Sequence, residues 1–478
     1  MDYPKKILHW ISGEERGSQS GKWFEKFNPA TGEVLAEVAG GTKQEVAEAI
    51  CAAETAFPLW AATPVEKRAE ILKKAANLIQ ERKEEIAEII ALESGKPKKQ
   101  AIGEVEAAVK CGLFLAGQLS QFEPEKLMSG MPNRELKLIR QSIGVGALIT
   151  PFNNPMAGVA WKTFPALLCG NAVIVKSHEL TPYIAVWFGK ILNQAGLPAG
   201  VYSVLQGTGQ EVGSPLVEDK RVKFVSFTGS LATGQHILKA TVDRLAKVCI
   251  EAGGKNPFVV CDDADLENAA RWAAASAFVD AGQRCVAASR LIVFDAVYDE
   301  FKKIFLEKVK KIKVGIADTD DYGAIISEGR MGEILESING AISRGAVLLA
   351  SGQRIGGNGY FLQPTILEKV DSDDEFSRRE IFGPVVALYR VKDLEEAIAL
   401  ANNSDFKLSG AIHTKDFKKS EEFANRYYSG VVRINGPTYG SEPHVPFGGV
   451  GLSGNGWREP GIKSLDFYSN WKQISIDA

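Results

Sequence analysis

From about residue 143 onward, short apolar runs alternate with amphipathic stretches, and this rhythm constrains the fold more than any other feature of the chain. The runs in the first part of this region lie at 145–149, 172–175, 201–205, 222–227 and 245–250. Amphipathic segments at 181–195 and 230–242 separate some of them. Strands that alternate with helices predict a parallel sheet with helical crossovers, and such sheets bind ligands at the carboxyl ends of their strands.

The rhythm repeats in the second part, where strands are expected near 258–260, 290–294, 384–389 and 430–434. Two further segments, 135–140 and 465–476, alternate like half-exposed strands and are expected to pair into an edge used for oligomerisation. The fold class predicted is therefore α/β, with two Rossmann-like parallel-sheet domains and a small β extension.

One long helix is predicted over 63–93. Thr63 is a candidate cap, Pro64 suits the first helical position and Glu66 completes a capping box. Gly95 and the proline that follows it mark the end of this helix.

Length and charge limit the classes of protein that this chain can be. Its 478 residues exceed what one hydrophobic core organises, so two or three domains are expected. Lys and Arg number 56 against 59 Asp and Glu, a balance that does not favour binding to nucleic acid or to an anionic membrane. No apolar stretch reaches the roughly 18 residues of a membrane span. The first residues lack the apolar core of a signal peptide, so a cytoplasmic protein is expected.

The six cysteines contain no CxxC pair, so neither a zinc site nor a disulfide framework is expected, and no metal is predicted. Five of them have the apolar or small neighbours typical of buried cysteine. Cys285 differs, because it follows Arg284 in a flexible stretch of small and polar residues at 280–290. Four roles are open to this residue: core residue, metal ligand, half of a disulfide or nucleophile. A neighbouring guanidinium would favour its thiolate.

Several polar groups stand where strand runs give way to turns. Asn153, between two prolines, is either the acceptor of an Asx-turn or a donor to a developing oxyanion. Ser230 starts a helix, either as an ordinary cap or as part of a phosphate site. Glu251, before two glycines, is either a turn residue or a base whose pKa is raised by an apolar wall. Each stays ambiguous on its own.

Taken together and in order, these stretches resemble the aldehyde dehydrogenase superfamily from roughly residue 20 to the end of the chain. The blocks that carry the resemblance are PFNNP at 151–155, WKTFPAL at 161–167, GNAVIVK at 170–176, FTGS at 227–230, EAGGKNP at 251–257, GQRC at 282–285, EIFGP at 380–384 and PFGG at 446–449.

The resemblance implies an NAD(P)-dependent, hydrolytic oxidation of an aldehyde to its acid. It makes Cys285 the nucleophile that forms a thiohemiacetal and then a thioester. Asn153 and the backbone N–H of Cys285 would form the oxyanion hole. Glu251 would activate the hydrolytic water, and Lys162 would connect Glu251 to a proton path.

The resemblance also implies the cofactor contacts. Lys176 and Glu179 match the positions that hold the adenosine ribose, and Ser230 matches the pyrophosphate position. Glu380 matches the nicotinamide ribose contact, and Phe382 packs near the nicotinamide. Since the charge of Glu179 disfavours a 2′-phosphate, NAD is expected and NADP remains possible. The other residues expected to bind the cofactor are Thr150, Phe152, Gly209, Gly213, Phe227 and Gly229.

Three positions depart from the usual pattern. Asn154 stands where an aromatic residue is common, Trp457 interrupts the block at 453–459, and Asp280 replaces the usual asparagine. GQRC also occurs in relatives that oxidise semialdehydes bearing a carboxylate. Arg284 therefore either contacts such a carboxylate or packs outward and tunes the thiolate. The residues expected to bind substrate are Asn154, Trp161, Arg284, His444 and Phe447.

The resemblance divides the chain by role. A cofactor domain is expected at 1–123 and 143–252, a catalytic domain at 253–452, and oligomerisation strands at 124–142 and 453–478. A homodimer or homotetramer is expected.

Three rival functions would make different demands on the sequence. A coenzyme A-acylating enzyme would generally lack the Glu251 carboxylate, and a binding or structural protein on this fold would not need an intact catalytic set. A thiol hydrolase would need a histidine partner, and none of the five histidines is an evident one.

Overall fold

The computed structural model describes residues 3–350 and 352–477. Its strands are β1 (Lys6–Ile7), β2 (His9–Ile11), β3 (Glu14–Arg16), β4 (Trp23–Phe27), β5 (Val34–Ala39), β6 (Glu125–Leu127), β7 (Arg134–Ser142), β8 (Val145–Ile149), β9 (Ala172–Lys176), β10 (Tyr202–Leu205), β11 (Val222–Thr228), β12 (Lys247–Glu251), β13 (Asn256–Val260), β14 (Ala288–Phe294), β15 (Val347–Ala350), β16 (Thr365–Glu368), β17 (Val385–Val391), β18 (Phe406–Lys407), β19 (Ser409–His413), β20 (Val431–Ile434), β21 (Val450–Gly451) and β22 (Ser469–Asp477).

The α-helices are α1 (Lys43–Ala62), α2 (Val65–Glu81), α3 (Lys83–Ser94), α4 (Lys98–Ala116), α5 (Pro155–Leu168), α6 (Tyr183–Ala195), α7 (Ser214–Glu218), α8 (Leu231–Thr241), α9 (Leu266–Phe278), α10 (Asp295–Val309), α11 (Glu328–Ser343), α12 (Glu375–Arg378), α13 (Leu394–Asn402), α14 (Phe417–Arg426) and α15 (Ser464–Tyr468). Among the described residues, no helix is both long and apolar enough to cross a membrane.

The first large sheet has the strand order β12-β11-β8-β9-β10-β2-β3, and its strands from β12 to β10 are parallel. Counted in chain order from β8, these five strands run 3-2-1-4-5 from β10 to β12, which is a Rossmann arrangement. Strands β8, β9 and β10 are buried almost throughout, because helices cover both faces of the sheet. The strand order reverses between β8 and β11, so the fold places a ligand crevice at the carboxyl ends of these two strands.

The second large sheet has the order β15-β16-β17-β14-β13-β19-β20 and is parallel except for its edge strand β15. Its core is separate from that of the first sheet. The predicted α/β class with parallel sheets is therefore confirmed. The exact domain boundaries stay a prediction.

The two alternating segments at 135–140 and 465–476 do contribute to one antiparallel pair. Strand β22 pairs with β7 along its whole length, from Ser469 opposite Ser142 to Asp477 opposite Arg134. The prediction was wrong for 465–468, which form helix α15 with Leu465, Phe467 and Tyr468 buried. These large apolar side chains need burial on more than one side, and a short helix against α5 provides it.

The predicted single helix over 63–93 is wrong in two respects. It consists of α2 and α3, which are separated at Arg82 by a residue with non-helical dihedral angles. Thr63 ends the preceding helix α1, and its hydroxyl donates to the carbonyl of Leu59 rather than capping α2. The predicted end is correct, since Gly95 adopts the left-handed conformation that closes α3.

The cysteines differ from the expectation at one position. Cys51 is exposed on the outer side of α1, because its neighbours Ile50 and Ala53 take the buried side of the helix.

Candidate active site

A cavity of about 820 Å³ opens at the carboxyl ends of β8 and β11, where the strand order reverses. Residues from both large sheets line it, since Glu251 is the last residue of β12 in the first sheet while Cys285 and Glu380 belong to loops of the second. The cavity wall contains every residue predicted to bind the cofactor, namely Thr150, Phe152, Lys176, Glu179, Gly209, Gly213, Phe227, Gly229, Ser230, Glu380 and Phe382. It also contains the predicted catalytic residues Asn153, Glu251 and Cys285.

Cys285 follows an unusual left-handed turn. Asp280, Ala281 and Gly282 have φ angles of 55°, 56° and 65°. Left-handed dihedral angles at two successive non-glycine residues are strained, and such strain is retained where surrounding contacts hold it. A Cβ on Gly282 would lie 2.1 Å from the carbonyl oxygen of Gly383. The turn therefore needs glycine at this position in order to bring the thiol to the cavity.

Asn153 is buried, and its side-chain amide is held from one side. Its Nδ2 atom donates a hydrogen bond to the carbonyl oxygen of Gln283 at 2.9 Å. A carboxamide nitrogen carries two hydrogens, so this bond fixes the amide plane and leaves a second donor for the cavity. Gln283 is itself fixed, because it donates to Ala324 at 3.1 Å and accepts from Ile326 at 2.9 Å.

Glu251 ends β12 beside Cys285 as a half-buried residue whose Oε1 atom is enclosed. Burial raises the pKa of its carboxyl to about 8, while the charge of Lys162 acts in the opposite direction. Its Oε1 atom has no hydrogen-bond partner within the described residues. A carboxyl with a pKa near neutrality and a free oxygen is suited to accept a proton from water or from a thiol.

The electrostatics of the thiol differ from the expectation based on its neighbour. Burial, followed by the charges of Glu251 and Glu380, raises the pKa of Cys285 well above its ordinary value. Arg284 Nε donates to Asp280 Oδ2 at 2.5 Å, and its guanidinium lies 4.8 Å from the Tyr439 ring. The raised pKa of Cys285 runs against the expectation of a favoured thiolate, and the contribution of Arg284 itself stays a prediction.

Lys162 lies outside the cavity in a buried polar network. Its Nζ donates to Glu459 at 2.7 Å and to Ser226 at 2.8 Å. Ser226 in turn donates to Glu459, and so does the hydroxyl of Tyr468. This network lies behind Glu251 and contains groups that can exchange protons. Sequence reasoning missed Glu459, although it lies at the end of the unusual block at 453–459.

The adenosine end of the cavity fits a dinucleotide. Lys176 Nζ lies 2.7 Å from Glu179 Oε2. Although burial acts in the opposite direction, the neighbouring His178 and Lys176 lower the pKa of Glu179 to about 2, so its carboxylate is charged. A charged carboxylate at this place can accept hydrogen bonds from both ribose hydroxyls and would repel a 2′-phosphate.

The middle of the cavity lies at the start of helix α8. Ser230 caps this helix by accepting a hydrogen bond from the backbone of Thr233. The start of an eleven-residue helix carries free N–H groups and the positive end of its dipole, which fits a diphosphate. Gly209 and Gly213 face open space on the other wall, so no side chain obstructs this part of the cavity.

At the far end of the cavity, Glu380 accepts a hydrogen bond from the backbone N–H of Gly254 at 2.9 Å. A Cβ on Gly253 would lie 2.0 Å from the Glu380 carboxylate, so a larger residue there would displace this side chain. Phe382 and Phe152 make an edge-to-face contact with their ring centres 5.6 Å apart. These aromatic rings give the cavity an apolar wall near Cys285, which fits a nicotinamide.

The residues predicted to bind substrate do not line this cavity. The rings of Trp161 and Phe447 lie 6.0 Å apart, and His444 lies 6.2 Å from Phe114. Asn154 precedes helix α5, and its side chain does not cap that helix. Trp161, Phe447 and His444 thus make aromatic contacts outside the cavity, and the role of all five residues in binding substrate stays a prediction.

His178 lies on the cavity wall and makes an edge-to-face contact with Phe152 at 5.3 Å. Arg330, also on the cavity wall, lies near the Glu380 carboxylate. Sequence reasoning missed Arg330, since no sequence pattern indicated it.

The fold and the cavity define a dinucleotide-binding oxidoreductase with a cysteine beside the nicotinamide end. The model of the aldehyde dehydrogenase family matches residues 16–474. The chain is 39% identical to the 2,5-dioxopentanoate dehydrogenase of Saccharolobus solfataricus over 470 residues, which is 97% of each chain. It is 37% identical to the alpha-ketoglutarate semialdehyde dehydrogenase of Haloferax volcanii over 99% of each.

A solved structure shows the same fold. The betaine aldehyde dehydrogenase of Staphylococcus aureus, crystallised with NAD⁺, superposes with a TM-score of 0.96 at 32% identity. The match covers 98% of this chain and 94% of that one. The chain thus belongs to the aldehyde dehydrogenase family and is an NAD(P)-dependent enzyme that oxidises aldehydes.

Proposed function

We propose that this enzyme oxidises a semialdehyde bearing a carboxylate to the dicarboxylic acid, through a thioester on Cys285. The single observation that supports this proposal best is that Cys285, Glu251 and Asn153 line one cavity although they come from three separate parts of the chain. A nucleophile, a base and an oxyanion donor are the groups that hydrolytic acyl transfer requires.

In the first step, the Cys285 thiol loses its proton and its sulfur forms a bond to the aldehyde carbon. The electron pair of the carbonyl π bond moves to the oxygen, and the free N–H of Asn153 and the backbone N–H of Cys285 stabilise this oxyanion. Loss of one such donor typically costs about 3 kcal/mol of transition-state stabilisation. Glu251 is placed to take the thiol proton, since its carboxyl interacts with the thiol.

A nicotinamide held beside Glu380 and Phe382 would supply the hydride acceptor for the conversion of the thiohemiacetal to a thioester. Glu251 releases the thiol proton toward Lys162 and Glu459, and it then takes a proton from water as the water oxygen attacks the thioester carbon. The carbon–sulfur bond breaks, which releases the acid and returns the thiolate. Lys162 and Glu459 extend from this region as a route for the proton that Glu251 has taken up.

For the cofactor, we propose a preference for NAD over NADP. The charged Glu179 carboxylate supports it, because a 2′-phosphate would lie close to that charge. The solved relative named above was crystallised with NAD⁺. Lys176 offsets only part of the repulsion, so NADP remains a slower alternative.

For the substrate, the names of the two curated relatives support a five-carbon semialdehyde with a carboxylate, since 2,5-dioxopentanoate and α-ketoglutarate semialdehyde are the same compound. Arg284 is the cation next to the thiol along the chain, and we propose that it contacts the substrate carboxylate through the part of its guanidinium that Asp280 leaves free.

We also propose that the three-stranded sheet of β6, β7 and β22 joins subunits into a homodimer or homotetramer, and that the enzyme works in the cytoplasm. Trp471 and Ile476 on β22 are exposed in the single chain, and β6 leaves an open sheet edge. The predicted division into a cofactor domain, a catalytic domain and oligomerisation strands accords with this role.

The reaction is tested by trapping the acyl-enzyme. Trypsin cleaves after Arg284 and Arg290, which isolates Cys285 in a short peptide without another cysteine. Enzyme mixed with NAD⁺ and 2,5-dioxopentanoate, then acid-quenched, should carry the acyl mass on this peptide, and Cys285→Ala should carry none and form no NADH. Label on another cysteine would refute the role of Cys285. A kcat/KM no higher than that for pentanal would refute the substrate class.

A further inference from the structure

Lys96 is a buried lysine in the turn between α3 and α4, and its ammonium contacts the residue that supplies the oxyanion donor. Its Nζ donates to the backbone carbonyl oxygen of Asn153 at 2.8 Å and to Glu104 Oε2 at 3.1 Å. Asp280 Oδ1 lies 3.8 Å from the same nitrogen. Burial opposes the charge of Lys96, but Asp280 and Glu104 raise its pKa above the ordinary value.

Glu104 holds the chain on the other side of Asn153. Its Oε1 accepts hydrogen bonds from the backbone N–H groups of Met156 at 2.7 Å and Ala157 at 3.2 Å, in the first turn of α5. A carboxylate at this place caps the helix and interacts favourably with its dipole. The segment 153–157 is therefore fixed at its start by Lys96 and at its end by Glu104.

Asp280 extends the same cluster to the loop that carries the thiol. It is buried, it adopts a left-handed conformation, and it pairs with Arg284. The cluster thus joins two basic side chains, Lys96 and Arg284, to two acidic ones, Glu104 and Asp280. Burial raises the pKa of Glu104, while the charge of Lys96 acts in the opposite direction. Because bases and acids are matched, the cluster can be buried between the α3–α4 turn, the Asn153 segment and the Cys285 loop.

We propose that Lys96 is a positioning residue for the oxyanion hole. It holds Asn153 at the distance from Cys285 that the reaction needs. This inference rests on the proposed function, since it acts through the role of Asn153. Lys96 touches neither the substrate nor the reacting atoms. Its carbonyl contact sets the backbone from which the Asn153 amide projects, and Gln283 then fixes the plane of that amide. A displacement of about 1 Å at a reacting group can lower a rate by roughly 100-fold.

The test compares Lys96→Met, which keeps length but removes the charge, with Asn153→Ala and with the double variant. The rate of the first NADH turnover is measured by rapid mixing, and the affinity for NAD⁺ by fluorescence. We expect Lys96→Met to slow the first turnover by about 10-fold to 100-fold and to leave NAD⁺ affinity unchanged. In the Asn153→Ala background, the same substitution should have almost no further effect.

A matched control is Lys83→Met. Lys83 forms an ion pair of 2.9 Å with Glu106 between the same two helices, but at the surface. This variant should turn over like the parent chain. If Lys96→Met does not fold, Glu104→Gln replaces it, because its Oε1 still accepts from the α5 backbone while its Nε2 removes both the charge and the acceptor that face Lys96.

The outcomes separate the inference from the function on which it rests. An equal slowing by Lys96→Met in both backgrounds, or none in either, overturns the positioning role. If Asn153→Ala itself turns over at the parental rate, the oxyanion role of Asn153 is wrong. A loss of NAD⁺ affinity in Lys96→Met equal to its loss of rate also overturns the proposal, since the change would then lie in the cofactor cavity.

Discussion

The side-chain amide of Asn153 donates to the backbone carbonyl of Gln283 across 2.9 Å, and this bond joins the two large parallel sheets at the cavity. Asn153 follows a strand of the first sheet, while Gln283 stands two residues before the thiol in a loop of the second. The group that stabilises negative charge and the loop that carries the nucleophile are therefore connected directly. Any movement of one sheet against the other changes the geometry of both.

Glu251→Gln should separate the two chemical half-reactions. The glutamine keeps the size of the side chain but cannot take a proton from water at neutral pH, so the thioester should accumulate. We expect a burst of about one NADH per active site followed by a slow steady state, measured by stopped-flow absorbance. Slower deprotonation of the thiol would reduce the rate of the burst and not its amplitude. Steady turnover at the parental rate would show that another group activates water.

Hydrolysis of the thioester should depend on the raised pKa of Glu251. Below pH 8 the carboxyl is protonated and cannot act as a base, so the hydrolysis rate should rise about tenfold per pH unit and level off above about pH 8. Single-turnover decay of the acyl-enzyme isolates this step, because the thiol no longer titrates once it is acylated. The rise of the hydrolysis rate up to about pH 8 should be absent in Glu251→Gln. If this rise persists in the variant, a group other than Glu251 causes it.

Glu179 should determine the choice of cofactor. Glu179→Gln removes the charge that faces the ribose, so kcat/KM with NADP should rise about tenfold while kcat/KM with NAD falls. Glu211→Gln is a suitable control, because Glu211 is half-exposed, pairs with Lys22 and does not line the cavity. Equal or better use of NADP by the parent enzyme would contradict the proposed preference.

Arg284 should discriminate between charged and uncharged aldehydes. We expect Arg284→Ala to raise KM for 2,5-dioxopentanoate by about 10-fold or more and to change KM for pentanal little. Asp280→Asn removes the anion that now pairs with Arg284, so it should lower KM for the charged substrate. If Arg284→Ala changes KM equally for both aldehydes, Arg284 does not contact the substrate carboxylate and serves only to hold the loop.

Removal of residues 471–478 should disrupt assembly. The deletion leaves β7 without most of its partner strand and removes Trp471, which lies against the Arg140 guanidinium at 4.2 Å. We expect a smaller particle by light scattering with nearly unchanged far-ultraviolet circular dichroism. Trp471→Ala, which keeps the strand, serves as the milder comparison. An unchanged particle mass after deletion would place the subunit contacts elsewhere.

Sequence alone determined the two sheets and the positions of the reacting groups along the chain. A parallel strand covered by helices on both faces is a near-continuous apolar run, and such runs are visible at β8 and β9 and, interrupted by Lys223 and Ser226, at β11. The residues that follow these runs lie at one edge of the sheet, so the expected positions of Asn153 and Ser230 followed from their order. Helix 63–93 and the tail at 465–468 were misassigned, because tertiary packing decides where apolar helices break.

Only the tertiary structure decided the charges and the partners of these groups. Arg284 precedes the thiol in sequence, yet a left-handed turn directs its guanidinium to Asp280 and Tyr439. Lys96 and Glu104 lie some fifty residues before Asn153, and no pattern joins them. The raised pKa of Glu251 results from exclusion of water around its carboxyl in the folded chain. Ion pairs and pKa values depend on the distance between groups and on the exclusion of water around them. The order of residues along the chain determines neither the distance nor the exclusion of water directly.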